Sequence, residues 1–342
     1  MRLAREFGLI PDQQIPGPLN SITDVSGVQV GHKTLKQGDL HTGVTAVIPH
    51  PGNLFNEKVM AAVDVINGFG KSTGLIQIAE LGTLETPILL TNTLSISPCI
   101  NALIKRAFKD NPDIGRNTST VNAVVCECND GWLSDIQALA INESHAEEAL
   151  QNACDITVVQ GSVGAGTGMR CFGYKGGIGT SSRQLSIGGR KFNLGTLVLS
   201  NFGKAGSLVL PNGVRPSAPS SRQPDKGSII VILATDIPLE QRQLHRVAKR
   251  CGAGIAQLGS YWGHGSGDIA IAFSTASRIP HKPTEAVLSI SRLHDDFIDD
   301  VFEAAAQSTL ESVLNSMLAS PAVTGRDGHH APSLSDYLEQ HN

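Results

Sequence analysis

Gly227-Ser228-Ile229-Ile230-Val231-Ile232-Leu233-Ala234 is the stretch on which the reading of this chain turns. Its unbroken apolar run predicts a strand buried on both faces. The residues before it are of another kind. Ser217–Lys226 reads SAPSSRQPDK, polar, with two prolines and no apolar period. That composition predicts an exposed loop over 217–227. A serine therefore stands where an exposed loop gives way to a core strand.

A serine in that place has its hydroxyl next to the carbonyl of Gly227, and a residue without a Cβ leaves that carbonyl open to attack. Attack would give an ester, and water would release two pieces. The new α-amine on Ser228, with an ordinary pKa of about 7.7–8.0, would then be a base beside its own hydroxyl. The plainer alternative is a loop running into a core strand, with Ser228 satisfying a strand-end hydrogen bond. Composition alone favours the plainer one.

Downstream, Thr235-Asp-Ile-Pro238 predicts a helix start with Asp236 as cap. Leu244, Val247, Ala248 and Cys251 recur at helical spacing, and Gly252 is expected to end the helix. Asp268–Ser274 reads as a strand and 295–318 as a long helix with an apolar stripe. Upstream, strands are expected near Val25–Val30, Thr42–Pro49, Leu75–Leu81, Pro87–Thr91, Val121–Cys128, Ile156–Gln160 and Leu194–Asn201. Helices are expected at Ser97–Asp110 and Glu143–Ala153. Antiparallel strand groups mixed with helices predict helices packed on sheets rather than a regular βαβ alternation.

The 342 residues are 40% hydrophobic and 17% charged, enough for a sizeable core. The net charge is −4, and no basic run suited to a phosphate backbone occurs, which argues against a nucleic-acid partner. No apolar stretch approaches the ~20 residues of a membrane span. The first residues lack the apolar core of a secretory signal. The six cysteines form no C-x-x-C pair and are expected to be reduced, structural and cytoplasmic.

Four further groups could carry chemistry. Ser266 and Asp268, two apart before an apolar strand, would share a face and could relay a proton, or could cap a glycine-rich turn. Asn201 ends a strand and could donate to an oxyanion, or could simply start a turn. Glu127, a carboxylate inside an apolar strand, needs a partner: a substrate ammonium, or a structural Arg or Lys. Gly161–Gly168 fails the dinucleotide template, because Met169 or Cys171 stands where its third glycine is required. His264 and His329-His330 have no spaced ligand partners, so neither metal nor cofactor is expected.

Taken together, PGPLNSITDVSGVQVGH, TGVTAVIP, GMRCFGYKGGIGTSSR, GSIIVILATDIP, GSGDIAIAFSTA and TGRDG resemble the family of L-aminopeptidase/D-esterases and β-peptidyl aminopeptidases over nearly the whole chain. The resemblance implies a four-layer αββα sandwich like that of N-terminal-nucleophile hydrolases. It implies one self-processing domain over 1–342, cut between Gly227 and Ser228 into an α chain, 1–227, and a β chain, 228–342. It also implies a homotetramer of αβ units that uses no metal or cofactor.

On matching positions, the resemblance makes Ser228 the nucleophile, Ser266 and Asp268 proton-transfer partners, Asn201 an oxyanion donor and Glu127 the holder of the substrate's amino group. Two departures stand out. Some relatives carry Glu in place of Asp268, and Asn129 stands where the family's tyrosine lies near the oxyanion, with Trp132 close by to fill volume. The activity expected is that of a serine aminopeptidase on short peptides, amides or esters, including those with an N-terminal β- or D-amino acid. The alternatives are an acyltransferase of the same fold and a processed peptide-binding protein without turnover.

Overall fold

The computed structural model describes residues 2–217, 227–283 and 285–341. The expected loop over 217–227 therefore lies outside the described residues except at its two ends. In chain order the first half holds β1 (Gln29–Gln37), β2 (Leu40–Ile48), β3 (Glu57–Gly68), α1 (Leu75–Leu81), β4 (Thr83–Leu84), β5 (Ile88–Asn92), α2 (Ile96–Asp110), β6 (Val124–Cys128) and α3 (Glu143–Gln151). The second half holds β7 (Arg170–Cys171), β8 (Tyr174–Lys175), β9 (Gly177–Ile187), β10 (Arg190–Asn201), β11 (Ser228–Thr235), α4 (Gln241–Gln257), β12 (Gly267–Pro280), α5 (Asp299–Leu318), β13 (Val323–Thr324), β14 (His330–Ala331) and α6 (Leu334–His341).

Two sheets carry the fold. One has the order β1-β2-β5-β6, the other β4-β3-β12-β11-β10-β9. The alternation along β11 shows how they stack. Ile229, Val231 and Leu233 pack with α4 and α5, whereas Ile230, Ile232 and Ala234 pack against the other sheet. The unbroken apolar run is thus two alternating sets, each with its own core. A third core joins the four-stranded sheet to α2 and α3. The layers run helix, sheet, sheet, helix, as the resemblance implied.

Small residues let the outer helices lie close. A Cβ on Gly254 would meet the Ala306 carbonyl at 2.2 Å, so α4 crosses α5 with its backbone nearly touching. Gly252, expected to end α4, lies inside it, and the helix runs on to Gln257. Asp236 does not cap this helix. Glu240 does, while Asp236 accepts the Asn193 amide at 2.8 Å. Besides its apolar stripe, α5 turns serines to the sheet. Ser312 meets Thr196 at 2.7 Å and Ser316 meets Ser200, and just beyond the helix Ser320 donates to the Gly176 carbonyl at 2.8 Å.

Three expectations fail locally. Leu75–Leu81 is a short helix, not a strand, because left-handed glycines at 74 and 82 bracket it and only Ile78 turns inward. Ile156–Gln160 joins no sheet, and Ile156 and Val159 are exposed. The chain near Val25 makes a 3-10 turn, and β1 begins only after Gly27, whose φ is +87°.

Candidate active site

Ser228 is the first residue of β11 and is buried. The sheet register sets its neighbours. Asn201, which ends β10, lies opposite it in the antiparallel ladder, and Gly267, which opens β12, lies beside it in the parallel one. The Gly267 N–H donates to Ser228 Oγ at 3.1 Å. From below, the Cys128 thiol donates to the carbonyl of Ser228 at 3.3 Å. Gly227 is pressed against β10, where a Cβ on it would lie 1.8 Å from the Asn201 carbonyl.

Asn201 is held at both ends of its amide. Nδ2 donates to the Asn129 carbonyl and Oδ1 accepts the Arg170 N–H, both at 2.9 Å. An amide nitrogen carries two hydrogens, so one donor remains for a further acceptor. One residue before Gly267, Ser266 Oγ donates to Asp268 Oδ1 at 2.7 Å, and both side chains are fully buried. Because that hydroxyl's hydrogen is committed to the carboxylate, its oxygen is left as an acceptor.

Glu127 is buried near the end of β6. Oε1 accepts the Lys71 N–H at 2.8 Å, and Oε2 accepts the Thr93 hydroxyl. The Lys71 ammonium turns away to lie 4.5 Å over the Phe69 ring. Among the described residues no Lys, Arg or His forms an ion pair with Glu127, so its donors are neutral. A methyl placed on Gly70 would lie 3.5 Å from Glu127 Oε1 and 3.8 Å from Gly267 Cα. The carboxylate and the Gly267 backbone therefore both border Gly70.

Asn129 is exposed, and its side chain accepts the Gly131 N–H at 2.9 Å in a local turn. Its backbone carbonyl, not its side chain, reaches Asn201. The Trp132 ring stacks on His329 at 3.9 Å and lies under the Arg170 guanidinium at 4.4 Å. His264 lies beside Phe69 at 6.2 Å. Among the described residues no His, Cys, Asp or Glu group is arranged to hold a metal ion, and no helix is long and apolar enough to cross a membrane.

Several groups here escape a reading of the sequence. The Gly267 N–H is a backbone donor, legible only once β11 and β12 are known to pair. Asp130 and Lys175 are both fully buried and close enough for their charges to interact. Lys175 donates to the carbonyls of Gly166 and Gly176 at 2.9 and 2.8 Å. Burial pulls Lys175 down to about 7 and pushes Asp130 up to about 7, and the charge of each partly opposes the shift of the other. All six cysteines are free thiols. Burial drives Cys99, Cys126 and Cys251 up to about 12 and Cys128 well above the usual thiol range, so none of these four is a thiolate near neutral pH.

The sequence and the fold both recur in known proteins. The profile of peptidase family S58 matches residues 20–331. The chain is 36% identical over 353 residues to a β-peptidyl aminopeptidase of Sphingosinicella microcystinivorans, covering 95% of this chain and 88% of that protein. It superposes on the PH0078 protein from Pyrococcus horikoshii OT3 with a TM-score of 0.93 and 44% identity, covering 99% of this chain and 98% of that one. It superposes on the L-aminopeptidase D-Ala-esterase/amidase of Ochrobactrum anthropi with a TM-score of 0.90 and 34% identity, covering 100% and 99%. That last structure is described as a prototype of the serine aminopeptidases and a new variant of the Ntn-hydrolase fold. With the family matched across most of its length and the fold reproduced end to end, this chain belongs to peptidase family S58, and it is a hydrolase of the aminopeptidase kind.

Proposed function

We propose that the chain cuts itself before Ser228 and then releases N-terminal residues through an acyl-enzyme on that serine. The observation that carries this reading is the Gly267 N–H on Ser228 Oγ at 3.1 Å, with Asn201 opposite. In the first reaction Ser228 Oγ attacks the Gly227 carbonyl carbon. The peptide nitrogen leaves with the hydroxyl proton, which yields an ester and a free α-amine. Water hydrolyses the ester, leaving a carboxylate on Gly227 and the hydroxyl on Ser228. The products are an α chain, 1–227, and a β chain, 228–342.

In turnover the α-amine takes the Ser228 hydroxyl proton as Oγ attacks the scissile carbonyl, and passes it to the leaving amine. Ser266, with its hydrogen on Asp268, accepts from the α-ammonium and steadies it. The Gly267 N–H and the second Asn201 hydrogen stabilise the oxyanion. Water then attacks the acyl ester to regenerate Ser228. Glu127 pairs with the substrate's free ammonium, which confines attack to the bond next to a free amino end.

The substrates are short peptides, amides or esters with a free amino end. Those of the Sphingosinicella and Ochrobactrum relatives bring β- and D-residues into that range. The working form is a homotetramer of αβ units, and the free thiols suit a reducing cytoplasm. Labelling by an acylating aminopeptidase inhibitor tests the reading. It should modify Ser228 at one equivalent per β chain and abolish turnover in proportion. Full inactivation without label on Ser228 would place the nucleophile elsewhere. Adding an amine to the assay separates hydrolysis from acyl transfer by the product formed.

A further inference from the structure

We infer that Asn67 is a positioning residue for this reaction, acting through the Ser266–Gly267 peptide; the inference rests on Ser228 being the nucleophile. A peptide unit is planar, and its N–H and C=O point in opposite directions. Fixing the Ser266 carbonyl therefore fixes the direction of the Gly267 N–H, the donor at Ser228 Oγ. Two groups hold that carbonyl. Asn67 Nδ2 donates to it, and so does the Phe69 N–H at 3.2 Å. The other Nδ2 hydrogen of Asn67 goes to the Gly263 carbonyl at 3.1 Å, and the Ser266 N–H reaches the same carbonyl at 2.9 Å. One amide thus clamps both ends of the turn from 263 to 266.

The strand register makes this clamp possible. β12 and β3 pair Asp268 with Asn67 but Ile269 with Val65, so Ile66 is an extra residue in β3. Without that bulge the pleat would send the side chain at 67 to the other face. The Gly267 peptide is also packed tightly from this side, since a Cβ on Gly267 would lie 2.7 Å from the Phe69 carbonyl. A carbonyl that accepts two hydrogen bonds polarises its own amide, which strengthens the N–H on the far side as an oxyanion donor. The Asn67 side chain bonds the Gly263 and Ser266 carbonyls and not Ser228. Its effect is on where, and how strongly, the Gly267 N–H points.

Asn67→Asp keeps the shape and replaces both donors with a carboxylate facing two carbonyls. Asn67→Ala removes the clamp without adding charge. Deleting an oxyanion donor outright lowers kcat by about 100- to 1000-fold, so disordering one is expected to lower kcat about 10- to 100-fold. KM should stay unchanged. A boronic-acid substrate analogue, whose adduct on Ser228 bears an anionic oxygen, should lose affinity in parallel with kcat/KM, whereas the amino-acid product should inhibit as before. Each variant is assayed as its processed fraction, with the melting temperature measured alongside.

Near-normal kcat and boronate affinity in either processed variant would overturn the inference. So would a loss of product binding equal to the loss of boronate binding, because that marks general damage to the site. Ser228→Ala, run beside them, separates the two levels. If it keeps activity, the nucleophile assignment itself falls. If it is inactive while Asn67→Asp turns over normally, only the role of Asn67 falls.

Discussion

Asn201 and Ser228 are direct partners across β10 and β11, so the end of one strand faces the start of the next. Directly opposed side chains in an antiparallel pair stand about 4.5–5.5 Å apart at Cβ, close enough for both to reach one substrate carbonyl. Asn201 is pinned by Asn129 and Arg170 before any substrate arrives, and such preorganised donors contribute most in a dry site. Asn201→Asp should therefore lower kcat by about 100- to 1000-fold with a smaller change in KM. Steady-state kinetics on the processed fraction check this, and a purely KM-borne loss would argue for a substrate-binding role instead.

Glu127→Gln keeps the shape and one accepted bond, from the Lys71 N–H, while its amide nitrogen faces Thr93 as a donor to a rotated hydroxyl, and the charge is removed. A buried charge pair lost to a neutral amide is expected to lower kcat/KM for free-amine substrates by about 30- to 1000-fold, corresponding to roughly 2–4 kcal/mol. An ester lacking the α- or β-amino group gains nothing from the carboxylate, so its hydrolysis should change little. The ratio of the two rates is the measurement. An equal loss on both substrates would mean that Glu127 supports structure rather than the ammonium.

Gly227→Ala should arrest or strongly slow self-cleavage, because the added methyl would collide with the Asn201 carbonyl 1.8 Å away. The attack needs the Gly227 carbonyl within about 3–3.5 Å of Ser228 Oγ, and displacement by even 1 Å can lower such a rate about 100-fold. A time course of the uncut band on a denaturing gel reads this directly. Wild-type cleavage in Gly227→Ala would show that the junction moves away from β10 before it reacts.

His32 gives the protein a pH dependence away from the site. Burial lowers it from 6.5 to about 4, with a bond between Nδ1 and Thr45 Oγ1 at 2.9 Å. The unfolded chain binds a proton below pH 6.5 that the folded chain refuses until about pH 4. Stability from this group is therefore full above pH 6.5 and falls as pH drops from 6.5 to 4, by up to about 3 kcal/mol. Urea unfolding of wild type and His32→Gln at several pH values should show a shallower fall in the variant across that window. Parallel curves would remove His32 as the cause.

What could be read in the sequence followed from how each segment meets its surroundings. β11 was legible because both its faces are buried, so no polar residue interrupts it. β3 was passed over because one face is wetted, and Glu57-Lys-Val-Met-Ala-Ala-Val-Asp alternates too weakly to stand out. The helix at Leu75–Leu81 read as a strand because its apolar residues are mostly exposed and only its flanking glycines mark its ends. Ser228, Ser266, Asp268, Asn201 and Glu127 could be singled out in the sequence as candidates, and the structure brings Ser228, Asn201 and the Ser266–Asp268 turn to adjoining strand ends. The Gly267 N–H, the bulge at Ile66 and the Asp130–Lys175 pair were not legible, since they arise from strand register and from chain segments far apart in sequence.

Intact mass with N-terminal sequencing of the purified wild type beside Ser228→Ala tests the account most directly. Two fragments from wild type, one beginning Ser-Ile-Ile, and a single whole chain from the variant are the predicted result. A folded wild-type chain that stays whole and still hydrolyses amino-terminal amides would contradict the central claim that a freed Ser228 amine drives the reaction.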